Sequence, residues 1–197
     1  MCIRDSINVG SNTGGSGTLV VNGGTLLAGS SSLVIGASGG GTGAATINGG
    51  GQVTLAGSLA VGFGSGTGTL TVGGSGSGTL KSQGTSFSVG AGGTGVLSIL
   101  SGGVVTNTAT TGIGLGGFLN GGSGTIAVNG GTLFDNGDSI QVGNSIGSGS
   151  LSVSGGGSLI TGGTTAFSGI NGSGGGTAAA TVSGGTWTCL LYTSRCV

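Results

Sequence analysis

The sequence predicts an all-β fold, namely a parallel β-solenoid (β-helix) of about seven coils with three short strands in each coil. Three observations predict it. A segment of the type Gly-Thr-Leu-Thr-Val-Gly-Gly recurs along the chain, apolar residues alternate with small polar ones inside each copy, and the copies recur about every 26 residues. A period of this size is typical of repeat architectures, in which each unit packs on its neighbours.

The clearest element of each coil is the second of its three strands. Pairs of Leu, Ile and Val two residues apart lie on one face of a strand, and the Thr, Ser or Ala between them lies on the other. We therefore expect Thr69 and Thr71 to face outward. The apolar residues should form buried columns, and the best defined of them are Leu70, Val72, Leu97, Ile99, Ile126, Val128, Leu151 and Val153.

The first strand of each coil ends in an apolar residue followed by glycine. Glycine accepts the positive φ of a tight turn, so each pair predicts a corner between two strands. The successive glycines are 26, 26, 28, 24, 29 and 26 residues apart. The pairs are Val9-Gly10, Ile35-Gly36, Val61-Gly62, Val89-Gly90, Ile113-Gly114 and Val142-Gly143, with Ser168-Gly169 as a degenerate seventh.

The third strand has a weaker pattern, and turns rich in glycine, serine and asparagine separate it from the others. Asn-Gly also suits the turn of a β-hairpin. However, each unit resembles the unit one period later more than its own neighbours, which favours parallel stacking. The apolar residues assigned to the third strand, of which the valines and leucines should face inward, are Val53, Leu55, Val104, Leu133, Leu159 and Trp187.

The repeats occupy residues 7–188, which we interpret as a single solenoid domain from a longer protein. The tails, residues 1–6 and 189–197, contain all three cysteines and both arginines, and the repeat pattern does not continue into them. They resemble translated sequencing adapters, so we expect them to be non-native, and we infer no disulfide from their cysteines. The alternative is a native cap or linker.

Composition excludes several classes of protein. The chain has 56 glycines but no proline, which excludes collagen, and it has no histidine. Its net charge is zero, so it lacks the basic surface that nucleic acids or anionic lipids require. No apolar run approaches the roughly 18 residues of a membrane span. We therefore expect neither nucleic acid nor a membrane span as part of its function.

The repeats contain few groups that could perform chemistry. Between residues 7 and 188 the charged residues are Lys81, Asp135 and Asp138. The two aspartates form the one candidate acidic pair, in a segment that we interpret as an ordinary polar turn. Calcium prefers six to eight oxygen ligands, which this loop does not supply. We therefore predict no catalytic, cofactor-binding or metal-binding residue, no cofactor and no enzymatic activity.

A row of threonines on a flat solenoid face is a feature that suits ice binding. Thr69 and Thr71 fit such a row, but the matching positions include Val20 and Ala127. The sequence therefore predicts no continuous threonine ladder.

The repeated pattern x-Val-Gly followed by Gly-Thr-Leu-x-Val-x-Gly-Gly resembles the glycine-rich repeat of bacterial autotransporter passenger domains and of PEP-sorted surface proteins. The resemblance covers about residues 7–188. It implies export to the bacterial surface or release from it, and a role as a structural stalk or scaffold that also suits adhesion. Surface or glycan contacts are the expected partners, and the unpaired strand edges at the ends of the rod predict end-to-end self-association. The alternative is a carbohydrate-binding or carbohydrate-acting solenoid.

Overall fold

The computed structural model describes residues 6–110, 112–116, 121–137, 139–143, 146–162, 164–167 and 175–190, and for 164–167 it describes the backbone alone. The described residues form strands and turns. No helix in this part of the chain has the length and apolar character needed to cross a membrane.

In the part of the chain that the structure describes, three parallel sheets of seven strands make up the solenoid. Sheet A contains the first strand of each coil: β1 (Ile7–Val9), β4 (Leu33–Ile35), β7 (Leu59–Phe63), β10 (Phe87–Ala91), β13 (Ile113–Leu115), β16 (Ser139–Val142) and β19 (Thr164–Phe167). Sheet B contains the second: β2 (Ser16–Asn22), β5 (Thr42–Asn48), β8 (Thr67–Val72), β11 (Thr94–Leu100), β14 (Ser123–Asn129), β17 (Ser148–Ser154) and β20 (Ala178–Ser183).

Sheet C contains the third strand of each coil: β3 (Thr25–Leu27), β6 (Gly51–Leu55), β9 (Gly78–Ser82), β12 (Gly103–Asn107), β15 (Thr132–Asp135), β18 (Ser158–Thr161) and β21 (Thr186–Cys189). Every strand pairs with the equivalent strand of the adjacent coil and runs parallel to it, as in the pairing of β8 with β11. The predicted parallel β-solenoid with three strands per coil is confirmed, and the hairpin alternative is wrong.

The core consists of the inward side chains of all three sheets, which form one buried cluster. Leu70 and Val72 are fully buried, whereas Thr69 is exposed and Thr71 is half-buried. The other six residues predicted for the columns of sheet B are also buried. The alternation in the second strand therefore predicts the inward face correctly.

Two glycine columns form the corner between sheets A and B, which we call the glycine corner. One column has φ angles of 68° to 78° and consists of Gly10, Gly36, Gly62, Gly90, Gly116 and Gly143. The facing column begins the second strands and consists of Gly17, Gly43, Gly68, Gly95, Gly124 and Gly149.

Both columns require glycine because the backbones at this corner lie in contact. A Cβ at Gly90 would lie within 3.0 Å of the carbonyl group of Ser123, in the next coil. A Cβ at Gly95 would lie equally close to the backbone nitrogen of Gly90. The pattern Val-Gly followed by Gly-Thr-Leu thus encodes a corner without side chains.

The structure corrects the predicted corner glycine of the fifth coil. Sheet A pairs Val89 with Leu115, so the equivalent glycine is Gly116 and not Gly114. Gly116 has a φ of 72° and donates its N–H to the Val89 carbonyl at 2.9 Å. The corrected glycines, up to Gly143, are 26, 26, 28, 26 and 27 residues apart, which is more regular than the sequence indicates. The pair Ser168-Gly169 lies outside the described residues.

Sheet C contains a second correction. Val105 is buried and Val104 is half-buried, so the predicted inward residue of β12 is wrong by one position. The register of sheet C determines which of the two valines faces inward, because Val105 pairs with Leu80 on one side and with Leu133 on the other. The predicted inward positions of Val53, Leu55, Leu133 and Leu159 are confirmed, and Trp187 packs against the core in a partly buried position. Strand β21 continues through Cys189, where the repeat pattern ends.

Candidate functional site: a buried polar column

The last inward position of the strands in sheet C changes from apolar to polar along the solenoid. Leu55 occupies it in β6, and the next four strands place Ser82, Asn107, Asp135 and Thr161 there. We call these four residues the polar column. All four are almost completely buried, with exposed fractions of 0% to 1%.

The burial of Asp135 corrects the interpretation of its segment as an ordinary polar turn. Asp135 is the last residue of β15, so strand alternation directs its side chain into the core together with that of Leu133. The turn begins only after it, at Asn136 and Gly137. Asp138, the other member of the predicted pair, lies outside the described residues.

A side-chain hydrogen bond joins Asn107 in β12 to Asp135 in β15, the equivalent strand of the next coil. Asn107 Nδ2 donates to Asp135 Oδ1 at 2.7 Å. The side-chain oxygen of Asn107 in turn accepts the N–H of Ala109 at 3.1 Å. The N–H of Gly137 donates to Asp135 Oδ1 at 3.3 Å. The centre of the column thus also fixes the turns that follow β12 and β15.

Three oxygen atoms of the polar column find no hydrogen-bond partner among the described residues. They are Ser82 Oγ, Asp135 Oδ2 and Thr161 Oγ1. A buried polar atom without a partner is costly in free energy and therefore uncommon in folded proteins. The polar column is the part of the solenoid core where this cost is concentrated.

The environment of Asp135 disfavours its charged form. Burial raises the pKa of this carboxyl group above its ordinary value, and the hydrogen bonds from Asn107 and from the Gly137 N–H lower it by less. Desolvation dominates because a carboxylate loses the solvation of water when it enters an apolar core.

The column supplies one carboxyl group and no second titratable partner among the residues that the structure describes. In that part of the chain no group of three or more His, Cys, Asp or Glu side chains lies close enough to bind a metal ion together. Sequence reasoning missed the column because Asp-Asn-Gly is typical of turns. The signal that identifies it is the register, which aligns Ser82, Asn107, Asp135 and Thr161.

The outer faces of the solenoid consist mainly of small uncharged side chains. Thr69 lies between Ala44 and Val96 in sheet B, so the register confirms the predicted absence of a continuous threonine ladder at this position. Sheet C carries an outward row that sequence reasoning did not identify: Thr25, Gln52, Thr79, Val104, Thr132, Ser158 and Thr186.

Comparison of the chain with models of known protein families, with curated proteins and with solved structures gave no match.

Proposed function

We propose that this chain is a structural rod, the stalk or scaffold module of a bacterial protein that is secreted or displayed on the cell surface, where it also suits adhesion. The observation that carries the proposal is the unbroken register of three parallel sheets over seven layers. Each layer adds about 4.8 Å along the axis. Repetition therefore adds length to the molecule, which is the property that a stalk requires.

The distribution of polar groups also supports a structural role. The described outer faces carry mainly Thr, Ser, Ala and Asn, together with a few apolar side chains such as Val20 and Leu27, and Lys81 is the exposed charge. Stabilising a transition state requires charged or strongly polar groups aimed at one point. The buried position of Asp135 does not offer its carboxyl group to a substrate in solution. The resemblance to the repeats of autotransporter passengers points in the same direction.

Deletion of one complete coil tests this proposal. Removing residues 33–58 joins Ser32 to Leu59, so the new junction is again Ser-Leu. Leu59 then takes the place of Leu33, which is its register partner in the intact chain. We expect the shortened chain to fold and to present an epitope at its distal end on the bacterial surface as well as the full chain does. The measurement is antibody binding to intact cells that carry each chain on the same outer-membrane anchor.

A second experiment tests for catalytic activity: the purified full chain is incubated with panels of polysaccharides and peptides. A rod predicts no turnover of any of them. Turnover of a polysaccharide would support the alternative of a carbohydrate-acting solenoid and contradict the proposal. The proposal would also fail if the shortened chain folded but its epitope no longer reached the surface.

We also propose that the solenoid self-associates end to end. The end strands β2 and β20 each pair on one side only among the described strands, and unpaired strand edges recruit further strands. Val182, which occupies an inward position in β20, remains 46% exposed. We expect sedimentation velocity to show larger species as the protein concentration rises. A monomer at every concentration would contradict this part of the proposal.

A further inference from the structure

Asparagine followed by glycine occurs at several turns of the solenoid. In the described part of the chain the pairs are Asn22-Gly23, Asn48-Gly49 and Asn129-Gly130, between sheets B and C, and Asn136-Gly137, between sheets C and A. The backbone nitrogen of the glycine can attack the side-chain carbonyl carbon of the asparagine before it, because no Cβ hinders the approach. The attack closes a ring and releases ammonia, so each pair is a candidate for modification.

The pairs between sheets B and C are tied to the next coil. The N–H of Gly23 donates to the Asn48 carbonyl at 3.3 Å, and the N–H of Gly130 donates to the Ser154 carbonyl at 3.1 Å. In the third pair, Asn48 Nδ2 donates to Ser75 Oγ at 2.9 Å. Ring closure at these turns therefore requires a bond between two coils to break first.

Two of the asparagine side chains at these turns also lie against the next coil. A Cβ at Gly49 would overlap Asn22 Oδ1, and a Cβ at Gly155 would overlap Asn129 Oδ1. The carboxamide groups of Asn22 and Asn129 are therefore held away from the glycine nitrogen of their own pair, which should slow ring closure in the folded chain.

The pair Asn136-Gly137 has a different environment. The N–H of Gly137 donates at 3.3 Å to Oδ1 of Asp135, a carboxyl group within the same turn. Asn136 is exposed to water, and its Oδ1 lies 3.5 Å from the place that a Cβ on Gly162 would occupy in the next coil. In this pair the attacking nitrogen is thus bound to a group that can accept its proton.

Packing requires glycine at position 137. A Cβ there would lie 2.6 Å from the carbonyl oxygen of Ala109 and 3.0 Å from Asn107 Nδ2, in the preceding coil. A residue whose side chain would shield the nitrogen from Asn136 therefore does not fit, and the contacts that bury the polar column also keep the pair reactive.

We propose that Asn136 is a self-modification site, at which the folded chain deamidates its own side chain with Asp135 as the general base. The carboxylate takes the proton from the Gly137 nitrogen while that nitrogen attacks Cγ of Asn136. The bond from Cγ to the side-chain nitrogen breaks, and the proton passes to this nitrogen, which leaves as ammonia. Water then opens the cyclic imide and leaves an aspartyl or isoaspartyl residue at position 136.

Asp135 is suited to this role by its position and its basicity. Asn107 Nδ2 donates to the same Oδ1 at 2.7 Å and fixes the carboxyl group beside the turn. Burial raises the pKa of Asp135, and a carboxylate with a raised pKa is a stronger base. The reaction happens once in each chain, so it involves no external substrate and leaves the role of the rod unchanged.

Rates of deamidation in the folded and the unfolded chain provide the first test. The full chain is incubated at neutral pH, either in buffer or in urea sufficient to unfold it. Peptide mapping by mass spectrometry then follows the conversion of amide to carboxyl at each pair. We expect Asn136 to react about tenfold or more faster in the folded chain than in urea, because only the folded chain places the base. Asn22 and Asn129 should react more slowly in the folded chain than in urea.

The variant Asp135→Asn provides the second test, because it keeps an oxygen acceptor for Asn107 and Gly137 but removes the base. We expect the rate at Asn136 in the folded variant to fall by about tenfold or more. Asp138→Asn is the matched control, since it removes the other carboxyl group of the same segment, and it should keep the wild-type rate. Circular dichroism verifies that each variant is folded.

Two results would overturn the proposal. One is a rate at Asn136 that is no higher in the folded wild-type chain than in urea. The other is a folded Asp135→Asn variant that deamidates Asn136 as fast as the wild-type chain does. If Asp135→Asn does not fold, the comparison of the folded and unfolded wild-type chain decides the question by itself.

Discussion

Replacing Val128 with aspartate should lower the free energy of unfolding by about 4 kcal/mol or more, enough to unfold the chain at room temperature if its stability is ordinary. Val128 is fully buried and lies in sheet B between Ile99 and Val153 of the adjacent coils. None of these side chains can pair with a carboxylate. The measurement is equilibrium unfolding by urea, followed by circular dichroism.

Ala127→Asp is the matched control for this variant, because it introduces the same side chain one residue earlier in the same strand. Ala127 is half-buried and lies on the outward face, between Ser98 and Ser152. We expect it to cost about 1 kcal/mol or less, as is usual for surface substitutions in a strand. Equal losses of stability in the two variants would show that the inward and outward faces of sheet B are assigned incorrectly.

Gly90→Ala should cost clearly more than the roughly 1–2 kcal/mol that a left-handed conformation costs an ordinary residue. Gly90 has a φ of 78°, and its added Cβ would overlap the carbonyl group of Ser123 in the next coil. Relief of this overlap requires the backbones of two coils to separate at the glycine corner. The parallel pairing on both sides of the corner opposes that movement. The change in the midpoint of urea unfolding measures the cost.

Gly156→Ala separates the effect of the backbone conformation from that of the overlap. Gly156 has a φ of 77°, almost the same as Gly90, but a Cβ placed there meets no atom within 4 Å. It should therefore show only the conformational cost. If both variants lose the same stability, the close approach of backbones at the glycine corner does not constrain the solenoid as we describe it.

The features that the sequence predicted correctly depend on local physics. Alternation at a spacing of two residues places Leu70 and Val72 on one side of a strand whatever its partner is. Repetition about every 26 residues then indicates that equivalent strands stack. Together these two regularities determine the fold class without knowledge of any contact between coils.

The errors occur where two local interpretations are equally good and contacts between coils decide. Residues 112–116 read Gly-Ile-Gly-Leu-Gly, so both Ile113 and Leu115 are apolar residues followed by glycine. Pairing with Val89 selects Leu115. Val104 and Val105 present the same ambiguity in sheet C.

Asp135 was misinterpreted for a related reason. Its neighbours Asn136 and Gly137 are typical of a turn, and a carboxyl group is seldom buried in a core. Burial is possible here because Asn107 lies at the same position of the preceding coil and donates a hydrogen bond to it. That partner is 28 residues away in the sequence, so a local pattern cannot reveal it.

The central claim, that equivalent positions stack in register along one axis, can be tested by distances between pairs of spin labels. Thr18, Val96, Thr125, Ser150 and Ala179 belong to one outward row of sheet B. With the three cysteines replaced by serine, Thr18 is labelled together with each of the other four in turn. Stacking in register predicts Cα separations of about 14, 19, 24 and 29 Å, which increase by one strand spacing per coil. Separations that do not increase in equal steps, or a distance from Thr18 to Ala179 no longer than that to Val96, would contradict it.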